Sequence, residues 1–517
     1  MNIHTKSTTP YRRLILLIIT LITTGLVGQA QALPFTYLTR LTGGYTDDVV
    51  MLDTNTNTVT ATIPTGQYSG AVTVNHAGTR AYVVNSGDNT VSVINTVTKA
   101  VIATLPVGED YLREPRVLTL NPNDTRGYVP NPGNSTVSVI NTVNNGIVTT
   151  IPVAGGKVGA LALNPAGTRA YVVVSDMSGP EVLSKVAVIN TVTNRVVATI
   201  AINGAAEGIV LHPNGTRAYV PYNGDTYYDN YVAVINTASN SVIANIHINV
   251  LGPVSGFIKI NPAGTRLYGV IGYSDVTPTH IYVVNTINNS FVTAKNFGFG
   301  NMGDFILNAA GTRAYLTLDD WNSICGSQLI VFNTASNTGF SLSANADLAS
   351  MALHPLDTRL YIAHFNYDYC PSTDRGLVLF NTANNTFGDT VSLGFAPGSI
   401  TMGPPTNLRF SNAVYGVNEG AGRAVITVRR IGGAVGATSV QYNTANGSAV
   451  TPGDYTAKSG TLTWANGDTA PKTFTVPIVN DTAREPNETV RLILSAPTGG
   501  ATLGSPAQAT LTIINND

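Results

Sequence analysis

Short apolar runs separated by turn residues recur along most of the chain. In the unit spanning residues 155–200, such runs predict strands at Val158–Leu163, Arg169–Val173, Lys185–Ile189 and Val196–Ile200. An Asn-Pro-Ala-Gly turn follows the first strand. Proline presets the backbone at the second turn position and glycine accepts the left-handed conformation, so this turn favours a hairpin. The unit therefore predicts a four-stranded antiparallel sheet.

This unit is repeated. The phrase Asn-His-Ala-Gly-Thr-Arg-Ala-Tyr at 75–82 returns at intervals of 43 to 49 residues, with first residues Asn121, Asn164, His212, Asn261, Asn308 and His354. A second phrase, Val-Ser-Val-Ile-Asn-Thr at 91–96, recurs in each unit, and its consecutive apolar residues are typical of a strand covered on both faces. Helical patterns are nearly absent. Four short strands in about 45 residues indicate a β-propeller blade.

The two ends of the repeat region complement each other. Residues 35–63 supply strands two to four of a unit, and residues 398–402 supply a first strand alone. Pairing these remnants completes a blade and removes the exposed edges of an open array. The sequence predicts an eight-bladed propeller, with seven blades as the alternative if residues 35–63 form no blade.

The pattern changes after a Gly-Pro-Pro stretch that begins at Gly403. From Leu408 onward, about 110 residues of half-buried, alternating strands suit a β-sandwich. The predicted fold class is all-β: a β-propeller at 33–403, a linker at 404–407, and an immunoglobulin-like β-sandwich at 408–517.

The first 32 residues have the organisation of a secretory signal peptide. Lys6, Arg12 and Arg13 precede an apolar run, Leu14–Val27, that is short for a membrane span, and an Ala-Gln-Ala sequence ends at Ala32. We expect cleavage after Ala32 and a secreted or cell-surface protein without a membrane span. An uncleaved anchor is the alternative.

The amino-acid composition argues against several classes of binding partner and site. Charged residues make up 11% of the chain, against about 25% in an ordinary globular protein. The net charge is −1, with 28 Lys and Arg against 29 Asp and Glu, so no basic surface for nucleic acid is expected. The two cysteines exclude a disulfide-scaffold miniprotein and a multi-cysteine zinc site.

The repeat region resembles the YVTN-type β-propeller repeat family of surface-layer and secreted proteins. The resemblance rests on the phrases at 81–85, 91–96 and 101–108, Ala-Tyr-Val-Val-Asn, Val-Ser-Val-Ile-Asn-Thr and Val-Ile-Ala-Thr-Leu-Pro-Val-Gly. It implies the propeller fold and an extracellular recognition or envelope role more often than catalysis.

The region 408–517 resembles the Calx-β domain. The matching sequence motifs lie at residues 417–422, 453–456, 481–489 and 515–517. In that family the acids of these loops gather at one end of the sandwich and bind calcium, which implies six ligand candidates in this chain: Glu419, Asp454, Asp481, Glu485, Glu488 and Asp517. Calcium takes six to eight oxygen ligands, and carboxylates from several loops can supply them.

This sequence departs from the family pattern at three positions. Asn480, Asn515 and Asn516 stand where the family often has aspartates, which lowers the negative charge, so we expect weak, millimolar binding. The alternative is a carboxylate cluster that caps loop amides and arginines, with Arg484 nearby in the sequence.

Repeat symmetry separates the scaffold from candidate binding residues. An arginine present in every complete unit, such as Arg80, is expected to hold the blade by hydrogen bonds to turn carbonyls. The loops between the second and third strands depart from the repeat, lie on one face and carry aromatic residues: Tyr222, Tyr227, Tyr228, Tyr231, Tyr273, Trp321 and Tyr367. We expect this face to contact an extracellular protein or carbohydrate. Alternatively, the rings pack their own loops.

Two such loops carry the cysteines. Cys325 and Cys370 are 45 residues apart, which is one repeat, and equivalent loops of adjacent blades are neighbours. In an oxidising compartment a disulfide is predicted, provided that the Cα atoms approach within about 7 Å.

Catalytic signatures are scarce. His280, His364, Asp275 and Asp368 could supply a hydrolytic site, but no metalloprotease, nucleophile-elbow or phosphate-loop motif occurs in a suitable context. The sequence favours an exported, non-catalytic binding or adhesion protein. A propeller hydrolase or lactonase-like enzyme and a structural cell-envelope protein are the alternatives.

Overall fold

A computed structural model describes residues 35–40, 47–108, 117–176, 183–224, 229–272, 277–319, 326–344, 346–365 and 375–516. The predicted signal peptide lies outside the described residues. Within them, no helix combines the length and apolar character needed to cross a bilayer. The strands form ten sheets, of which eight are the blades of a propeller and two form a sandwich.

Blade 1 joins the two ends of the repeat region. Its strands are β1 (Phe35–Arg40), β2 (Asp48–Asp53), β3 (Thr58–Pro64) and β33 (Pro397–Met402), in the order β3-β2-β1-β33. Leu38 of β1 pairs with Ile400 of β33 in an antiparallel register. The prediction of eight blades closed by the two remnants is confirmed, and the seven-bladed alternative is wrong.

Blades 2 to 4 follow in chain order. Their strands are β4 (Ser69–Val74), β5 (Arg80–Asn85), β6 (Thr90–Asn95) and β7 (Ala100–Pro106) in blade 2; β8 (Thr119–Leu120), β9 (Arg126–Asn131), β10 (Thr136–Asn141) and β11 (Gly146–Pro152) in blade 3; and β12 (Lys157–Leu163), β13 (Arg169–Asp176), β14 (Leu183–Asn190) and β15 (Arg195–Ile202) in blade 4. The middle two strands of each blade are buried on consecutive residues, as the unbroken apolar runs predict.

Blades 5 to 8 complete the ring. Their strands are β16 (Ala205–Ala206), β17 (Val210–Leu211), β18 (Arg217–Asn223), β19 (Asn230–Asn236) and β20 (Ser241–Ile248) in blade 5; β21 (Val254–Ile260), β22 (Arg266–Ile271), β23 (His280–Asn285) and β24 (Ser290–Asn296) in blade 6; β25 (Asn301–Leu307), β26 (Arg313–Asp319), β27 (Gln328–Asn333) and β28 (Thr338–Ser343) in blade 7; and β29 (Asp347–Leu353), β30 (Arg359–Phe365), β31 (Gly376–Asn381) and β32 (Thr386–Ser392) in blade 8. The apolar core lies between neighbouring blades.

The arginine of the repeat holds turns, and it does so in two ways. Nη1 of Arg80 donates to the carbonyl of Thr79 in the same turn, and three equivalent arginines repeat this bond: Arg126, Arg169 and Arg266. Arg217 instead reaches the next blade, where its Nη1 donates to the Thr286 carbonyl at 2.6 Å and to Asn289 Oδ1 at 3.2 Å. Both arrangements satisfy carbonyls at turns, as the symmetry argument predicts.

The sandwich consists of two sheets with the orders β39-β36-β34-β41 and β35-β42-β40-β37-β38. Its elements are β34 (Thr406–Phe410), β35 (Val414–Asn418), a 3-10 turn (Glu419–Ala421), β36 (Arg423–Gly432), β37 (Thr438–Asn446), β38 (Ser459–Trp464), β39 (Lys472–Pro477), β40 (Glu488–Ser495), β41 (Thr502–Leu503) and β42 (Gln508–Ile514). Alternate residues of the longer strands enter a core around Trp464. Strand β34 begins at Thr406, within the segment predicted as a linker.

One end of the sandwich contacts blade 2. A Cβ at Gly78, in the first turn of that blade, would lie 2.8 Å from the Cα of Gly433. Gly78 has a φ of +65°, so this close approach and the backbone both require glycine. A Cβ at Gly467 would lie 3.3 Å from Val97 in the other turn on that side of the blade.

Arg430 holds together the sandwich loops at this end. Its side chain is 3% exposed, and its guanidinium donates to five backbone carbonyls in two loops, namely Gly433, Val435, Gly436, Ala465 and Asp468. Burial lowers the pKa of Arg430 to about 10, against the opposing effect of the Asp468 carboxylate, so the group stays cationic at neutral pH. The buried charge is thus satisfied by hydrogen bonds to the two loops it joins.

Candidate calcium site and loop face

The other end of the sandwich gathers acidic residues from separate loops. Glu419 opens the 3-10 turn after β35, Asp454 lies between β37 and β38, and Glu488 is the first residue of β40. Asp481 and Glu485 lie in the loop between β39 and β40. Because loops at one end of a sandwich are neighbours in space, residues far apart in the sequence meet here.

Three carboxylates form a compact group. Asp454, Glu485 and Glu488 each contribute an oxygen, and these oxygens lie within 4.8 Å of one another. Glu419 lines the same cavity, whose volume is about 10 Å³. A space of about that size accommodates one water-sized guest. In the described part of the chain, this is the one group of three or more His, Cys, Asp or Glu side chains with metal-binding spacing.

Glu419 is the buried member of the site. Its side chain is 6% exposed, and Oε1 accepts a hydrogen bond from the amide of Asp481 at 3.0 Å. Oε2 is buried and has no hydrogen-bond partner among the described residues. An unpaired buried carboxylate oxygen is costly, and a cation would relieve that cost.

The crowding of negative charge shifts the pKa of two glutamates. Desolvation, a hydrogen bond with Asp454 and the charges of Asp454, Glu485 and Glu419 raise the pKa of Glu488 to about 7. Desolvation and the charges of Asp481, Asp454 and Glu419 also raise the pKa of Glu485. Like charges at this spacing favour either a bound proton or a bound cation.

One sequence-predicted ligand, Asp481, stands apart from this group. Asp481 directs Oδ1 to the amide of Ala483 at 2.6 Å, so its carboxylate caps its own loop while its backbone amide supports Glu419. Asp517 lies outside the described residues. In the described part of the chain, no ion pair joins Arg484 to the cluster, so the arginine of the alternative reading does not neutralise it.

The asparagines that replace acids tie the loops to one another. Asn515 lines the cavity and donates through Nδ2 to the carbonyl of Ala483 at 3.2 Å. Asn516 accepts the amide of Gly420 through Oδ1 at 3.2 Å. The sequence alone predicts a loss of negative charge at these residues and not their hydrogen bonds. Their position in the terminal Asn-Asn-Asp phrase, beside the loops of the site, was the available signal.

On the propeller, the structure describes two of the seven predicted aromatic candidates. The ring of Tyr222 stacks on that of Tyr231 with centroids 5.3 Å apart, and Tyr231 meets His247 at 5.1 Å. Asp229 accepts the Tyr231 hydroxyl at 3.2 Å and lies 3.3 Å from His247 Nε2. Tyr222 is 4% exposed and packs between blades 4 and 5, so the expectation of an exposed ring is wrong at this position.

The remaining loop candidates lie outside the described residues: Tyr227, Tyr228, Tyr273, Trp321, Tyr367, Cys325, Cys370, Asp275 and Asp368. Of the candidate hydrolytic residues, His280 and His364 are described. His280 is the first residue of β23 in blade 6, and His364 is the last residue but one of β30 in blade 8. Within the described ranges, neither belongs to a cluster with metal-binding spacing. Burial lowers the pKa of His280, against a hydrogen bond with the Pro278 carbonyl.

The sandwich matches a known domain family over residues 404–517. Residues 404–517 form a Calx-β domain. The chain is also similar to Adhesion G-protein coupled receptor V1 of Danio rerio. The two are 37% identical over 101 residues, a stretch that covers 20% of this chain and 2% of the receptor. The chain thus spans a small fraction of that relative.

Two solved structures are each similar to part of the chain. The apo form of the Calx CBD1 domain is 28% identical, covering 22% of this chain and 98% of that one, with a TM-score of 0.21. Dihydro-heme d1 dehydrogenase NirN, solved in complex with DHE, is 13% identical, covering 72% of this chain and 76% of that one with a TM-score of 0.54. The second likeness is one of fold.

Proposed function

We propose that this chain is an exported, non-catalytic binding or adhesion protein whose Calx-β domain takes up calcium at its acidic end. The observation that carries the proposal is Glu419 Oε2, a buried carboxylate oxygen without a hydrogen-bond partner among the described residues, in a cavity shared with three more carboxylates. Oxygen-rich, anionic sites of this kind suit calcium, a hard cation.

The residues present fit such an ion. Glu419, Asp454, Glu485 and Glu488 would supply carboxylate oxygens, with Asn515 lining the same cavity. Asp481 and Asp517 are the two remaining ligand candidates that the sequence predicts. A bound calcium ion would neutralise the cluster and fix the loops that converge on it. We expect millimolar affinity, as in other extracellular modules.

We expect Glu419→Gln to weaken calcium binding at least about tenfold, because it removes the buried negative charge from the site. Glutamine keeps an oxygen that can accept the Asp481 amide, so the loop should stay intact. Calorimetric titration of the full chain with calcium measures the change. The matched control is Asp389→Asn, at an exposed carboxylate on the propeller, which should bind as the unmodified chain does. No heat up to about 10 mM calcium would contradict the proposal.

Calcium binding should weaken as the pH falls below about 7. The pKa of Glu488 is raised from 4.5 to about 7 in the folded state, so calcium must displace a proton there below pH 7. Without calcium, the contribution of Glu488 to the free energy of unfolding is fully present below about pH 4.5 and is lost as the pH rises through 7. Titrations at several pH values test this, with affinity falling by up to about tenfold per pH unit. In Glu488→Gln that dependence should flatten; an unchanged slope would refute the assignment.

The loop face of the propeller is the proposed contact surface for an extracellular protein or carbohydrate. The aromatic composition of its loops and the YVTN-like phrases support this proposal, as does the word adhesion in the name of the matched receptor. Replacing Tyr227, Tyr228 and Trp321 together by alanine should abolish capture of surface glycans or proteins by the immobilised chain. Capture equal to that of the unmodified chain would count against this surface.

A further inference from the structure

A cavity lies in the cleft between blades 7 and 8, on the side of the disc that carries the turns between strands one and two. Its volume is about 240 Å³, and its walls include Arg313, Val331, Phe340 and Asn385. None of the described residues that line it is acidic. The cavity is distinct from the calcium site and from the loop face.

Blade 7 departs from the repeat at this place. In the other seven blades the pairing of the third and fourth strands shifts register near the turn that joins them. In blade 7, β27 and β28 pair without a shift from Gln328 to Asn333. The unshifted strand places Phe340 opposite Val331, and Phe340 is 46% exposed. An aromatic ring therefore forms one wall of the cleft.

The adjacent position in β28 also breaks the pattern. Gly339 stands where the other blades have a large apolar residue, namely Val59, Val101, Ile147, Val196, Val242, Phe291 and Phe387. A Cβ at Gly339 would lie 2.8 Å from the ring of Phe297, which takes the missing side chain's place. The missing register shift and the glycine at 339 therefore both distinguish this cleft from the equivalent place in the other seven blades.

Arg313 brings positive charge to the cavity. Its Nη1 donates to the carbonyl of Thr382 and, at 3.2 Å, to Asn385 Oδ1 in blade 8. These bonds engage Nη1 and fix the guanidinium. A fixed guanidinium with donors to spare recognises a carboxylate through paired hydrogen bonds.

We propose that this cleft binds a small carboxylate that carries an aromatic group. The carboxylate pairs with Arg313, and the ring packs against Phe340 and Val331. The volume of 240 Å³ exceeds the roughly 150 Å³ of an apolar cavity that accommodates benzene, which leaves space for the carboxylate. For a ligand of this size we expect a Kd on the order of 1 mM.

Phenylacetate is the probe, and its uncharged analogue phenylacetamide is the comparison. Ligand-observed NMR on the full chain should show saturable binding of phenylacetate and at least about tenfold weaker binding of phenylacetamide. Arg313→Gln and Phe340→Ala should each reduce phenylacetate binding by a similar factor. Phe340→Ala leaves both bonds of Arg313 to blade 8 in place, so it tests the site without removing the link between blades.

The chain offers a matched control for the loss of an inter-blade arginine. Arg217 makes the same pair of bonds from blade 5 to blade 6. Arg217→Gln should lower stability about as much as Arg313→Gln and leave phenylacetate binding unchanged. The proposal is overturned by absence of saturable binding up to about 20 mM, or by binding that Arg313→Gln and Arg217→Gln reduce equally.

Discussion

Ile400→Asp is expected to open the propeller ring. Ile400 is 6% exposed and packs with Leu38, Tyr361 and Leu377 at the boundary of blades 8 and 1. An unpaired carboxylate there should cost about 4 kcal/mol or more of the free energy of unfolding. The loss should be cooperative, because β33 also touches both neighbouring blades: the Ile400 amide donates to Ser350 Oγ and Thr401 Oγ1 donates to the Val72 carbonyl.

Urea unfolding of the full chain and limited proteolysis measure this effect. Ile287→Asp is the matched control, because the same substitution then falls on a turn residue that is 71% exposed. We expect Ile287→Asp to change the unfolding midpoint by little. Equal midpoints for the two variants would show that β33 contributes nothing to the stability of the ring.

Arg430→Met is expected to destabilise the Calx-β domain by about 3–5 kcal/mol. Methionine fills much of the same space but removes a donor from five carbonyls. Gly433 and Ala465 keep the donors of Thr406 and Asp468, whereas Val435, Gly436 and Asp468 lose the one donor found for them among the described residues. The loss should fall on the loops that contact blade 2, so the junction between the domains should loosen together with the fold. Because the guanidinium is charged throughout the neutral range, the effect should be independent of pH between about 5 and 8.

The fluorescence of Trp464, which is 1% exposed in the sandwich core, follows unfolding of this domain in a Trp321→Phe background. Arg429→Met is the control, because Arg429 is the exposed neighbour on the opposite face of β36. Its replacement should change stability by less than about 0.5 kcal/mol. If both variants unfold alike, the carbonyls around Arg430 do not depend on its guanidinium.

The propeller architecture was predictable because the sequence repeats at a regular interval. A phrase repeated every 43 to 49 residues gives the blade count, and the complementary remnants at 35–63 and 398–402 give the closure. The burial of Arg430 was also within reach, since Ala424, Ile426 and Val428 alternate into the core and place residue 430 on the same face.

Side-chain detail was less predictable, since it depends on which neighbours the fold supplies. The sequence predicts Tyr222 in an exposed loop, but the residue lies inside strand β18, opposite Tyr231, and faces blade 4. The sequence predicts Asp481 as a ligand equivalent to the other acids, but its carboxylate accepts a hydrogen bond from the Ala483 amide of its own loop. The missing register shift in blade 7 follows from cross-strand packing, and Gly339 was its one visible sign.

The pairing of β1 with β33 sets the order in which the chain can fold. The bond between Thr39 and Ser399 joins residues 360 positions apart, while most other blades pair strands close in sequence. Because synthesis proceeds from the amino end, the sheet of β1, β2 and β3 must wait with one open edge until the last innermost strand arrives. While this edge is unpaired, β33 of a second copy of the chain can pair with β1 in the same way as the chain's own β33. Refolding at high concentration should therefore yield strand-exchanged dimers, which dilution suppresses.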